Sequence, residues 1–430
     1  MAYLPFAVFF VLVIVNVPVA VALASGALSF FFIQSGLPLP LYAQRLATSA
    51  NSFPLLAIPL FTLIGVIMNH AGITKRLLNL SEALVGHFIG ALAQSNIVLA
   101  TLMGGLSASG YAEGAMQSKM LGTEMIRRGY PAPFSAAIVA ASSIITPIIP
   151  PGLGFIIYGF LADVSIGRLF IAGIVPGLLL AAALMVTAHF LARKNHFSRM
   201  RDTRASLGEI GAALKRAGWA LTVPVIVIVG IRYGIFTPTE AGAIVVVYSL
   251  LIGLFAHREF TLRDLPKILS EASLAAGMVM VVIAAATAFG YYMTLERIPA
   301  RVAEGMTAIT GNPLLMLLLI NLFLLVVGMF LESIAALIIL TPILVPVTNH
   351  LGIDPVQFGL IFILNLSIGA LTPPVGGLMY ITCSILNVRI VDFVRAVAPF
   401  FLTQVVVLLL LTLFPPIVTF LPDLLMGPGR

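Results

Sequence analysis

The chain has 430 residues, of which 60% are hydrophobic and only 9% charged, with a mean hydropathy of +1.12. Soluble domains carry roughly 25% charged residues, so a water-soluble globule is excluded. The formal net charge of +7 sits in a few short clusters and sets topology rather than marking a nucleic-acid partner.

Long apolar runs dominate from the first residues. A helix needs about 20 apolar residues to cross a bilayer, whereas a transmembrane barrel would show short alternating segments. The fold class is therefore an all-α polytopic membrane bundle. The opening run, 4–24, reads as the first span. It is not read as a cleaved leader, although Ala22-Leu23-Ala24 resembles a processing site, because no Lys or Arg precedes it. With 26–35 and 53–70 it makes an N-terminal scaffold unit, 1–80.

The next unit, 81–192, holds apolar segments 83–104, 131–149, 152–162 and 168–192, several too short to cross alone. Its opening portion, 88–122, reads as a re-entrant hairpin that turns at Gly104-Gly105-Leu106-Ser107-Ala108-Ser109-Gly110, where glycine permits a tight reversal. A second interruption follows at Thr146-Pro147-Ile148-Ile149-Pro150-Pro151-Gly152. Proline removes backbone donors, so carbonyls there lose partners and become hard oxygen ligands for a small alkali cation. Thr146, Ile149 and Pro151 are the candidate carbonyl donors, with Ser107 and Gly110 contributing from the tip.

The polar connection 193–216 carries the richest basic cluster, from Arg193 to Arg216. With Lys75-Arg76, Arg127-Arg128 and Arg258, Arg263 and Lys267 it is assigned to the cytoplasm. Its 207–216 portion has the pattern of a short amphipathic surface helix. Scaffold helices fill 217–300: 217–231 and 239–256 form a hairpin with an outward tip near Thr237-Pro238-Thr239-Glu240, and 270–295 follows. Asp163 and Glu240 fall near span ends as interface or capping groups.

The last unit, 301–430, has segments 313–331, 334–348, 356–371, 374–387 and 396–421, and repeats the plan of the second. Its hairpin, 313–348, turns at Gly328-Met329-Phe330-Leu331-Glu332-Ser333, and Leu371-Thr372-Pro373-Pro374-Val375-Gly376-Gly377 interrupts it again. Gly129 and Gly352, and Pro150 and Pro373, are each 223 positions apart. Ser142-Ser143 precede the first break, and Asn365 and Ser367 the second. Charge counting puts the units in opposite orientations, an inverted repeat of the kind found in secondary transporters, with both tips at similar depth. Ser333, Gly369, Thr372 and Val375 form the second candidate cation set, so at least two sodium ions are expected. Ser109, Gly152, Glu332, Asn365 and Pro374 are the candidate substrate contacts. An intramembrane carboxylate such as Glu332 or Glu113 is a functional candidate by default, as gate, proton site or hydroxyl acceptor. Because nearly every Lys and Arg lies in a loop, an anion would have to be held by the helix N-termini at the tips together with bound sodium. The lone cysteine, Cys383, reads as a packing residue, the six histidines show no metal-ligand spacing, and no nucleotide loop or hydrolase elbow appears, so no enzymatic role is read.

Seven stretches in order make a resemblance to a known family: Phe53–Gly72, Gly104–Gly110, Thr146–Gly152, Ser165–Gly177, Gly234–Gly242, Ser333–Pro346 and Leu371–Gly377. Over nearly its whole length the chain resembles the large membrane subunit of tripartite ATP-independent periplasmic (TRAP) transporters. The resemblance implies an elevator-type carrier in the bacterial inner membrane. It also implies sodium coupling, a periplasmic substrate-binding protein that delivers a small organic anion, and a small membrane subunit. That subunit is expected as a separate chain, since no extra helices precede the first span. Two positions depart from the family pattern, Ala108 where glycine is common and Gly152 where serine is common. A dicarboxylate/sodium symporter working without a receptor is the alternative carrier, and a structural or channel-forming subunit of an enzyme complex is the alternative outside transport.

Overall fold

The computed structural model describes residues 3–15, 17–34, 37–48, 52–107 and 109–427, and among them there is no strand. The helices are α1 (Leu4–Ile14), α2 (Val19–Ile33), α3 (Leu39–Thr48), α4 (Ala57–His70), α5 (Ile73–Val85), α6 (Ala91–Gly104), α7 (Gly110–Gln117), α8 (Thr123–Arg127), α9 (Ala132–Ser143), α10 (Leu153–Leu161) and α11 (Ile166–Lys194). They continue as α12 (Leu207–Arg232), α13 (Pro238–Leu251), α14 (Leu265–Leu295), α15 (Ile298–Ile309), α16 (Pro313–Phe330), α17 (Ser333–His350), α18 (Pro355–Gly369), α19 (Gly377–Leu386), α20 (Ile390–Leu413) and α21 (Pro416–Met426). Among the described residues eight helical stretches are long and apolar enough to cross a membrane. The chain is thus an all-helical, multi-pass membrane bundle.

Three boundaries differ from the sequence reading. The first expected span, 4–24, is two helices, because Pro18 caps α2 and has no N–H to continue α1. The expected surface helix at 207–216 is instead the start of one continuous helix, α12. A reciprocal cap explains it: Glu209 N–H donates to the Ser206 hydroxyl (3.2 Å) and Ser206 N–H to the Glu209 carboxylate (2.8 Å). The last expected segment, 396–421, is broken after Leu413 at Pro415-Pro416. Helices α5 and α15 run through the unit boundaries drawn at 80 and 300. Elsewhere Glu240 caps α13 through Thr237, as its place near a span end suggested.

Helices α1–α4, α13 and α14 pack on one another as one group, with α14 lying against α2, α3 and α4. The remaining core interlocks the two halves reciprocally. Helix α9 packs on α19 and α20 of the second half, and α18 packs on α10 and α11 of the first. Both central helices are buried all round: every residue from Phe134 to Ser143 and from Val356 to Gly369. A helix without a polar or lipid-facing stripe belongs at the centre of a bundle. Each is entered through a left-handed glycine, Gly129 at φ +87° and Gly352 at φ +66°. Each leads into a break with a cis bond, Pro150-Pro151 and Pro373-Pro374.

Buried polar pairs hold the first arm of each hairpin to the helix behind it. Asn96 on α6 donates to the Ser142 hydroxyl on α9 at 2.6 Å. Asn365 on α18 donates to Asn321 on α16 at 2.8 Å, and Asn321 to Thr412 on α20 at 2.9 Å. The arms of each hairpin touch one another only sparsely, since each packs mainly on other helices.

Candidate functional site

The two tips face one space. Ser109 caps α7 by accepting from Ala112 N–H at 3.4 Å, and Glu332 caps α17 by accepting from Ala335 N–H at 2.9 Å. Ser109, Gly110, Tyr111, Glu332 and Ser333 line one cavity. Ser143, Ser367 and Ala370, which precede the two breaks, and Pro147 within the first also line it. A larger cavity adjoins it, sharing Ser109, Tyr111, Leu153, Glu332 and Ile334, and is walled on its far side by α4 and α14. Ser107 and Glu113 line this second space, as do Asn69 and Glu271 across it. Glu271 is held by His70 at 3.0 Å.

The capping contacts correct the expectation that open helix N-termini receive the anion. Each terminus already has an acceptor from its own chain, and at α17 that acceptor is a carboxylate, which the positive end of the helix dipole favours. Glu332 therefore lines the cavity with its carboxyl group, one oxygen held by the α17 N-terminus. Of the other expected substrate contacts, only Ser109 lines it. Asn365 points into the α16–α18–α20 packing through Asn321. Pro374 is exposed, and its carbonyl accepts from Tyr380 at 3.2 Å. Gly152 lies under the Pro147 carbonyl, where a Cβ would come within 2.4 Å of the oxygen, so a side chain does not fit. Ala108 lies outside the described residues.

The two candidate cation sets differ in state. Thr146 is fully buried and its hydroxyl has no partner, the condition in which a hard cation is a good fit. Gly110 is set against the carbonyl of Ser143, where a Cβ would come within 2.8 Å, while Ile149 packs its side chain on Gly104. In the second half the oxygens are already engaged. Thr372 donates to Gly369 O at 2.8 Å, Ser333 donates to Leu366 O at 3.3 Å, and the Met329 carbonyl accepts from Val375 and Gly376 N–H. Val375 is 47% exposed. The Thr372 and Ser333 hydroxyls spend their hydrogens on these bonds and keep their lone pairs for a cation. Among the described residues no group of three or more His, Cys, Asp or Glu is placed to hold a metal ion.

Tyr111 was not singled out in the sequence, yet it occupies both cavities. Its ring lies over Gly377, where a Cβ would come within 2.8 Å of it, and its hydroxyl sits beside Ser333 and Glu332. One signal was available, a bulky aromatic immediately after a tip made of small residues.

Comparison with known proteins gives the context for this arrangement. Residues 6–417 match the family described as "Tripartite ATP-independent periplasmic transporter, DctM component". The chain is 40% identical over 416 residues to the isethionate TRAP transporter permease protein DctMQ of Oleidesulfovibrio alaskensis, covering 96% of this chain and 65% of that longer relative. It is 39% identical over 419 residues to the sialic acid TRAP transporter large permease protein SiaM of Vibrio cholerae, covering 97% and 98%. Among solved structures, the YdaH transporter of Alcanivorax borkumensis, described as having an unusual topology, shares the fold with a TM-score of 0.67 at 15% identity over 96% of this chain and 98% of that one.

Proposed function

This chain belongs to the DctM family of tripartite ATP-independent periplasmic transporters, and from that membership we propose that it carries a small organic acid anion inward across the bacterial inner membrane, driven by sodium. A periplasmic binding protein delivers the solute, and a small membrane subunit works beside it. The substrate class is a dicarboxylate, keto acid or sugar acid. Relatives named for isethionate and sialic acid support an acid as cargo.

The observation that carries this reading is the single cavity shared by the two hairpin tips and walled on one side by α4 and α14. The halves act as an inverted repeat, so a site at their junction can be presented to either face. The interlocked core slides as a body against the scaffold helices, which is the elevator motion. Three carboxyls, Glu113, Glu271 and Glu332, border the larger cavity, and among the described residues no Lys or Arg lines it. An anion entering that field needs a compensating cation. Sodium at Thr146 and at the second break supplies it by Coulomb attraction. Sodium then raises substrate affinity, and the substrate raises sodium affinity by the same factor.

The test is uptake into proteoliposomes holding both membrane subunits, with the binding protein outside. An inward sodium gradient and the binding protein should both be required. Uptake without the binding protein would favour a receptor-independent symporter, and absence of counterflow exchange would end the carrier reading.

A further inference from the structure

Glu113 and Gln117 stand one turn apart on α7, 1% and 0% exposed, with Glu113 on the wall of the larger cavity and Gln117 behind it. Gln117 Nε2 donates to Glu113 Oε1. The other two oxygens of the pair, Glu113 Oε2 and Gln117 Oε1, have no partner. Both are acceptors, so as a carboxylate–amide pair they lack a donor. Leaving two such atoms buried is costly, and an ionised carboxylate without a cation is costlier still. One proton supplies the missing donor.

We propose that Glu113 and Gln117 form a proton site, in which the Glu113 carboxyl is held as the acid, its Oε2–H donating to Gln117 Oε1 while Oε1 accepts from Gln117 Nε2. The result is a closed acid–amide ring with two parallel hydrogen bonds and no orphan. No charged group on the surrounding elements replaces the proton. Helices α6 and α9 carry no titratable residue, and α19 carries only Tyr380 and Cys383. Lys119, in the π-helical turn after α7, is exposed. Also on the cavity wall stand Glu271, held by His70, and Glu332, neither of which offers a positive charge to the pair. The cavity is the route by which the proton exchanges with water. Deprotonation adds a negative charge to the path of an anionic solute. Uptake therefore falls as pH rises.

The pair can be tested by exchanging its members. The infrared difference spectrum of the purified transporter in lipid, wild type minus Glu113→Gln at neutral pH, should show the carbonyl stretch of a protonated carboxylic acid. The double variant Glu113→Gln/Gln117→Glu should restore that band, because it rebuilds the ring in reverse. Glu113→Gln keeps both hydrogen bonds as an amide–amide pair, and its uptake should lose the several-fold alkaline decline of the wild type. Absence of the acid band in wild type overturns the proposal. So does a carboxylate band that shifts when sodium is replaced by potassium, which would make this a metal site. The infrared readout needs no solute, so it stands or falls separately from the transport reading.

Discussion

Thr146 and Thr372 occupy comparable breaks but differ in what their hydroxyls do. Thr372 is bonded to Gly369 O, whereas Thr146 is buried without a partner. Thr146→Val therefore removes no protein hydrogen bond and preserves shape, and should act on ion binding rather than on folding. Half-saturating sodium for uptake should rise about tenfold, equivalent to ~1.4 kcal/mol. Thr372→Val should shift it far less, and equal sodium curves for wild type and Thr146→Val would remove that hydroxyl from the ion site. Tyr111→Ala takes away the ring that lies between Gly377 and the second tip. It should raise the KM for the solute several-fold at saturating sodium, while sodium activation stays as in wild type. An unchanged KM would make Tyr111 packing only. Ser109 and Glu332 were legible in the sequence because small-residue tips and intramembrane carboxyls are local signals. Tyr111 was not, because its role depends on Gly377, far along the chain.

Each hairpin has one arm fastened to the core by buried amide contacts, and the second-half fastening is a chain from Asn365 through Asn321 to Thr412. Asn321→Leu breaks both of its bonds and strands one N–H of the Asn365 amide, at a cost of about 1–3 kcal/mol, while Asn365 keeps its bond to Ile361 O and Thr412 its bond to Leu408 O. A lower thermal midpoint for the transporter should follow, with the sodium dependence of the remaining activity unchanged. A midpoint equal to wild type would show that the chain of bonds is dispensable. Between the same helices Gly328 and Gly369 approach so closely that a Cβ on Gly369 would meet the Gly328 backbone at 2.5 Å. At this scale the Pro-Pro breaks were readable, since a missing N–H is a property of the residue itself. The continuity of α12 was not. Gly208 and Gly211 argue against helix, but they face open space, and the Ser206–Glu209 cap and the apolar run behind them prevail.

The whole molecule brings two tips to one cavity although their hairpins are read as entering from opposite faces. Ser109 and Ser333 line the same space, so reagents should reach both from the same side in any one state. The positions that distinguish the faces are the exposed ends of the two units. With Cys383 replaced, Arg127→Cys should react with an impermeant thiol reagent only from the cytoplasm, and His350→Cys only from the periplasm. Labelling of both from one side would end the inverted topology. The reciprocal interlock of α9 with α19–α20 and of α18 with α10–α11 was beyond the sequence, because the 223-position repeat shows that two units are alike without showing how they dock.

The central helices also bear on how the chain enters the membrane. At 1.5 Å per residue, α9 and α18 are only about 18 and 22 Å long, against a hydrocarbon layer of roughly 30 Å. Neither can be accepted by the insertion machinery as an independent span, and each ends in backbone that lipid cannot satisfy. They must wait, beside the translocon or at the interface, for helices of the other half. Biogenesis of the core is thus a late, cooperative step. Isolated α9 or α18 segments should insert poorly in a segment-by-segment assay, while α11 and α20 insert on their own.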